Sequence, residues 1–177
     1  YPTPYPLALA SLRYLPEDFM PEFILDPCAG LGVYGKAAKA RYPAAVVAGM
    51  DVRGVLSDRV MFMEARDAYA LPRPPAYDYW QLGRNFLASE PSPVFDLVFS
   101  NPPYAVAEEF VRHGLAWLRP GGWLIYLLRL AFLEGIDRYE GLYQDAPPMI
   151  VGESAGSACR MRADDHCSTP GTPLISA

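Results

Sequence analysis

The chain has 177 residues, 51% of them apolar and 13% aromatic, enough for one globular domain with a sizeable core and too little for two full ones. Its formal net charge of −5 provides no global basic field of the kind that drives non-specific nucleic-acid binding, and its longest apolar run, WLIYLL at 123–128, is far too short to cross a bilayer. Three cysteines make no disulfide framework and fit a reducing compartment, so a soluble cytoplasmic protein is expected.

The chain opens at Tyr1 without an initiator Met, which leads to the expectation that residues precede it; no charged-then-apolar leader is visible. After the proline-punctuated YPTPYP, the pattern of LALASLRYL at 7–15 predicts a short amphipathic helix. EFILD at 22–26 reads as a strand and GKAAKARY at 35–42 as a helix following a glycine-rich turn. AAVVAGMD at 44–51 is a second strand that ends in an acid. The proline-rich stretch from about 53 to 93 has no clear period, with NFLA at 85–88 as its candidate strand. FDLVFS at 95–100 is the next strand, AEEFVRHGLAWL at 107–118 a helix, and RPGG a turn into the strand WLIYLLRL. Alternating strands and helices predict an α/β fold with a mostly parallel sheet and helices on both faces. From about residue 149 the composition turns to Ser, Gly, Ala and Thr without aromatics. Residues 1–148 are therefore read as the domain and 149–177 as a poorly ordered tail.

DPCAGLGVYG at 26–35 follows a strand and opens a helix, with Gly30-x-Gly32-x-x-Gly35 and, about 20 residues on, Asp51 at the end of the next strand. That spacing also suits an NAD- or FAD-binding oxidoreductase. Asp26 argues for a different ligand. A carboxylate at the carboxyl end of the first strand repels a pyrophosphate and attracts a cationic ammonium or sulfonium, so a methionine-derived sulfonium cofactor is expected, with Asp51 on its ribose hydroxyls.

Asn101-Pro102-Pro103-Tyr104 closes the strand FDLVFS on the same side of the sheet. Asn101 offers a side-chain carbonyl, and Ser100 and Pro102 offer backbone carbonyls. The prolines bring acceptors without competing donors and fix the local backbone. Two acceptors converging on a planar exocyclic NH₂ would hold both hydrogens while Tyr104 stacks on the flat face of the substrate. An alternative reading, in which the two prolines only end a strand and Tyr104 is core, leaves the upstream acids and glycines unexplained.

These motifs resemble the class I S-adenosylmethionine-dependent methyltransferases that carry an Asn-Pro-Pro-Tyr motif, most like the N6-adenine DNA methyltransferases of bacteria and phages. The likeness covers about residues 1–135 and implies a Rossmann-like fold. It also implies that Thr3 and Pro4 lie against the methionine end of the cofactor, and that Asp26, Pro27, Ala29, Gly30 and Gly32 cradle the methionine moiety. Asp51 would then hold the ribose, with Val52 against the adenine and Asn85-Phe86 contacting it; Asn85 stands where Asp is usual, and Asp67 is the rival. The implied activity is methyl transfer to N6 of adenine in DNA, by Asn101, Pro102, Pro103 and Tyr104. Protein glutamine N5- and RNA guanine N2-methyltransferases use a similar loop, and a non-catalytic remnant is a further reading.

The resemblance also implies a closing antiparallel strand pair, which the sequence after Ile150 does not announce; a missing, degenerate or frame-shifted pair is the expectation. No segment is long enough for a dedicated target-recognition domain, so a partner chain is a candidate source of specificity. Arg53, Arg59, Arg66, Arg73 and Arg84 are either a phosphate-contacting patch or scattered solvated arginines. Cys159, His166 and Cys167 lack a fourth ligand and paired spacing, and no metal is expected. Cys28 reads as a small residue lining the turn, and His113 as an ordinary helix residue.

Overall fold

Runs of β-branched and aromatic residues become strands wherever both faces can be covered. The computed structural model, which describes residues 3–53, 76–152 and 158–162, places them at β1 Phe23–Asp26, β2 Val46–Asp51, β3 Tyr79–Leu82, β4 Phe95–Ser100 and β5 Leu118–Leu127. These five strands are parallel. Two further strands, β6 Ile150–Gly152 and β7 Ala158–Arg162, complete the sheet in the order β3-β2-β1-β4-β5-β7-β6, with β7 antiparallel to both its neighbours. The chain runs outward from β1 to β3, then returns to build β4 and β5 on the other side of β1. The order therefore reverses between β1 and β4, and a crevice opens there at the carboxyl ends of the strands.

The helices are α1 Tyr5–Ser11, α2 Val33–Arg41, α3 Ala107–Ala116, α4 Ile136–Glu140 and α5 Leu142–Asp145. Alternation along the strands divides the core into two layers. Ile24, Val47, Leu97, Phe99 and Ile125 pack with Ala8 and Leu12 near α1 and with Ala37 and Ala38 of α2. Leu25, Met50, Val98, Leu124 and Tyr126 pack against Phe110 and Val111 of α3. Full burial of each large apolar side chain stabilises the fold by roughly 1.5–3 kcal/mol. At the amino ends of the strands the buried carboxylate of Asp96 accepts from the backbone N–H groups of Glu22 and Phe23, both at 2.8 Å, and pairs with Arg119, fixing β1 beside β4.

Three expectations need correction. NFLA is not a strand: Asn85 accepts from the Leu87 N–H at 3.1 Å and starts a 3₁₀ turn at Phe86–Ala88, while the strand of this region is YWQL at 79–82. The run WLIYLLRL leaves the sheet after Leu127, and residues 130–134 form a 3₁₀ turn. The terminal strand pair is present, though short, so part of the segment taken as a disordered tail belongs to the sheet. The exposed edge of β5 supplies the backbone partners for β7 without any need for aromatic alternation.

Two glycines are required by one aromatic ring. A Cβ on Gly35 would lie 2.5 Å from the Tyr77 ring, and one on Gly49 would lie 2.8 Å from it. Gly35→Ala, which at an ordinary helix position gains up to about 1 kcal/mol, is expected here to cost about 1–3 kcal/mol through overpacking, measured by urea unfolding.

Candidate active site

The site is built from strand ends. β1 ends in Asp26, whose chain then turns through Pro27–Gly32 into α2. The turn needs left-handed backbone at Gly30 (φ 51°) and at Gly32 (φ 82°), which is also the N-cap of α2 and offers no side-chain cap. The Ala29 N–H donates to the Met50 carbonyl at 2.9 Å and the Gly30 N–H to Asp51 Oδ2 at 2.8 Å, so the turn lies over the end of β2. Pro27, Ala29 and Gly32 are buried.

The two acids differ. Asp26 is 1% exposed, and its carboxylate lies beneath the turn. Oδ1 accepts from Ser100 Oγ at 2.5 Å and from the Cys28 N–H at 3.2 Å, while Oδ2 accepts from the Tyr77 hydroxyl at 2.6 Å. The expectation that its charge faces a ligand in the turn is therefore corrected: its oxygens are engaged by the protein. Burial pushes its pKa up to about 6 even though the Ser100, Tyr77 and Cys28 hydrogen bonds pull it down, and the nearby charge of Asp51 adds to the rise.

Asp51 goes the other way. Burial works to raise its pKa, but the Arg53 guanidinium and backbone N–H together with the Gly30 N–H hold it below the usual carboxylate value. Arg53 is bidentate, Nε on Oδ1 at 2.8 Å and Nη2 on Oδ2 at 2.6 Å. The Cys28 thiol is pushed far up by burial and by Asp26 and Asp51, which leaves it protonated and a poor nucleophile.

On the other side of the crevice, Asn101 Nδ2 donates to Thr3 Oγ1 at 3.0 Å, bringing the opening segment onto the Asn-Pro-Pro-Tyr loop. Pro102 is buried, Pro103 is exposed, and Tyr104 is 48% exposed. Pro4 is exposed at the start of α1, and Val52, just past Asp51, is 64% exposed. Thr3, Gly30, Gly32, Asp51 and Asn101 thus belong to segments that meet at the carboxyl ends of the parallel strands.

Asn85 and Phe86 directly follow Arg84, whose N–H donates to the Asp51 carbonyl at 3.0 Å. Asn85 caps its own 3₁₀ turn, and Phe86, expected against an adenine, is 2% exposed with its ring packed on Phe110, His113 and Trp117. A helix with room for an aromatic on its inner face competed for Phe86, and burial won. Asp67, Arg59, Arg66 and Arg73 lie outside the described residues, as do His166 and Cys167. Of the proposed arginine patch, Arg53 is engaged by Asp51 and Arg84 donates to Ser89 Oγ at 2.9 Å. Among the described residues no cluster of His, Cys, Asp and Glu could hold a metal, and no helix is long and apolar enough to cross a membrane.

Sequence reasoning missed Tyr77, the Ser100 hydroxyl and the pairing of Arg53 with Asp51. Tyr77 sits in the unparsed RPPAYDYW stretch; its one indirect signal is the pair of glycines at 35 and 49 that must face something large.

No protein-family model matches the sequence, and a search of curated proteins finds no match. Solved structures do match. A Listeria monocytogenes protein described as a class I S-adenosylmethionine-dependent methyltransferase superposes with a TM-score of 0.64 at 16% identity, over 97% of this chain and 62% of that one. The fold is that of a class I methyltransferase. An RNA methyltransferase from Salinibacter ruber, solved with S-adenosyl-L-homocysteine, matches with a TM-score of 0.58 at 14% identity over 96% of this chain and 98% of its own. The ribosomal protein L11 methylase of Lactobacillus delbrueckii subsp. bulgaricus matches with a TM-score of 0.61 at 16% identity, over 88% and 75%. In this class I methyltransferase fold, the crevice between β1 and β4 is the place the glycine turn and the Asn-Pro-Pro-Tyr loop share.

The raised pKa of Asp26 has a sign that can be measured. A proton held in the native state up to pH about 6 but released near 3.8 when unfolded contributes stability at low pH that is lost as pH rises through about 6. Relative to Asp26→Asn, the wild-type melting temperature is expected to rise by about 2 °C or more between pH of about 7.5 and about 5, read by calorimetry on both proteins. A constant difference across that range would refute the buried, proton-binding Asp26.

Proposed function

We propose that the protein transfers a methyl group from S-adenosylmethionine to a planar exocyclic amino group, with N6 of adenine in DNA the favoured acceptor. The observation that carries this reading is the orientation of Asn101. Its amide N–H is taken by Thr3 Oγ1 at 3.0 Å, which leaves Oδ1 as an acceptor, and Tyr104, three residues on in the same loop, is exposed. Asn101 Oδ1 and the Pro102 carbonyl then receive the two hydrogens of the amine, and Tyr104 stacks on the base, a contact of about 1–3 kcal/mol. Adenine inside a duplex must be flipped out to reach that ring.

The turn and Asp51 suit the cofactor. Gly30 and Gly32 supply the left-handed backbone of the turn, and Pro27 and Ala29 complete it. Asp51 is ionised and suits two ribose hydroxyls, with Val52 exposed for the adenine and Thr3 and Pro4 near the methionine end. In this reading the hydroxyls take the positions of the Arg53 donors on Asp51. Bound there, S-adenosylmethionine supplies an electrophilic methyl on a cationic sulfur; Asn101 and Tyr104 hold the amine in line, and its proton leaves once nitrogen has become acidic. No strong base is needed beforehand.

A second reading has one observation in its favour. The segment at 128–146, which follows β5 at the site end of the sheet, carries Glu134, Asp137, Glu140 and Asp145 against Arg129 and Arg138. Arg138 is held by the carbonyls of Phe132 and Ala131. An acidic rim suits a glutamine amide on a basic protein better than a phosphate backbone.

Labelled methyl transfer to plasmid DNA lacking adenine methylation, beside transfer to a basic protein extract, separates the two. Asn101→Ala is expected to lower transfer on the order of 100-fold or more while calorimetric affinity for S-adenosylmethionine stays within about twofold. Loss of cofactor affinity in Asn101→Ala would show the loop to be misassigned. Asp51→Ala is expected to do the reverse, weakening cofactor binding by about tenfold or more through the lost charge-assisted hydrogen bonds.

A further inference from the structure

We infer that Tyr77 is a positioning residue that locks the glycine turn to the Asn-Pro-Pro-Tyr loop through a relay running Gly35–Tyr77–Asp26–Ser100. The relay itself is geometry; its consequence for catalysis rests on the methyl-transfer reading above.

Each link is short and buried. The Gly35 N–H is one of the first donors of α2, which no intrahelical carbonyl can satisfy and which no N-cap side chain serves. The Tyr77 hydroxyl accepts from it at 3.2 Å and donates to Asp26 Oδ2 at 2.6 Å. The other oxygen of Asp26 accepts from Ser100 Oγ at 2.5 Å. Ser100 is fully buried and directly precedes Asn101, so the backbone that aims the acceptor is tied to the backbone that starts α2. The Tyr77 ring cannot swing away, because it lies against Gly35 and Gly49 and is tilted onto Trp80 with ring centroids 5.0 Å apart. A phenol is well suited to this place. It is the one uncharged side chain here that reaches past both glycines and still offers a donor and an acceptor at its tip.

A bare structural role and a coupling role predict different things. If Tyr77 and Ser100 each support only their own segment, removing one hydroxyl loosens one end. If the relay couples the ends, removing either hydroxyl loosens both. The charged and titratable groups around Asp26 are Asp51 at the end of β2, Cys28 in the turn, Tyr34 on α2, Tyr77, and Tyr126 on β5. Only the two hydroxyl links are removed in the variants.

The experiment is amide hydrogen exchange, read by mass spectrometry, on the full chain as wild type, Tyr77→Phe and Ser100→Ala. The expected result is faster exchange at both 27–35 and 101–106 in each variant, by about tenfold, with β5 unchanged. Ser100→Ala carries the test if Tyr77→Phe does not fold. Change confined to the segment nearest the substitution in both variants would overturn the relay. These readings do not depend on the wild type being active, so a protein that neither binds S-adenosylmethionine nor methylates plasmid DNA refutes the function without touching the relay. In an active protein, both variants are expected to lower kcat more than they raise KM, and to move the acidic limb of the kcat profile to higher pH, since each removes a donor from the Asp26 carboxylate. An unmoved limb in both would overturn the positioning role.

Discussion

A carboxylate stripped of water is tolerated only when donors replace the water, and Asp26 has three of them, from β4, from the segment before β3 and from its own turn. It sits where the strand order reverses, between β1 and β4. Any one of its partners could be supplied locally. What matters is that two of them, Tyr77 and Ser100, come from far along the chain, so that satisfying one carboxylate draws three segments to a common point. Remove that demand and the glycine turn and the acceptor loop are merely neighbours.

The second acid shows the opposite solution one strand away. Adjacent strands lie about 4.8 Å apart, and two ionised carboxylates at neighbouring strand ends would repel. Burial, with a lesser push from the Asp51 charge, makes Asp26 bind its proton more tightly; Asp51 takes a guanidinium on both oxygens. One acid becomes a structural junction, the other an ionised group paired with a guanidinium. The division follows from depth and from where Arg53 falls, two residues past the end of β2.

Much of this was legible in the residues. Outside the stretch 53–93, the order of strands and helices through 127, the boundaries of FDLVFS, and the convergence of the glycine turn with Asn101 follow from periodicity and from the rule that parallel sheets place their sites at the carboxyl ends. The family likeness implied a place for Thr3 beside the cofactor, but its hydrogen bond with Asn101, 98 residues away, was not expected from the sequence. What was not legible depends on long-range contacts that leave no local period. Tyr77 lies among prolines; Phe86 was claimed by an aromatic cluster with α3; the last two strands pair through the backbone, β7 with the edge of β5 and β6 with β7. The direction of Asp26 could not be read either, because a strand-end acid looks the same whether it faces solvent, ligand or a buried phenol.

The phenol on Gly35 also bears on how the chain matures. A helix start normally carries its own cap within a few residues, so it can form as soon as it leaves the ribosome. Here the group that finishes the start of α2 arrives 42 residues later. Until then the glycine segment is an unfinished turn with a solvated amide, and the domain's most conformationally permissive stretch waits on a part of the protein that has yet to be made.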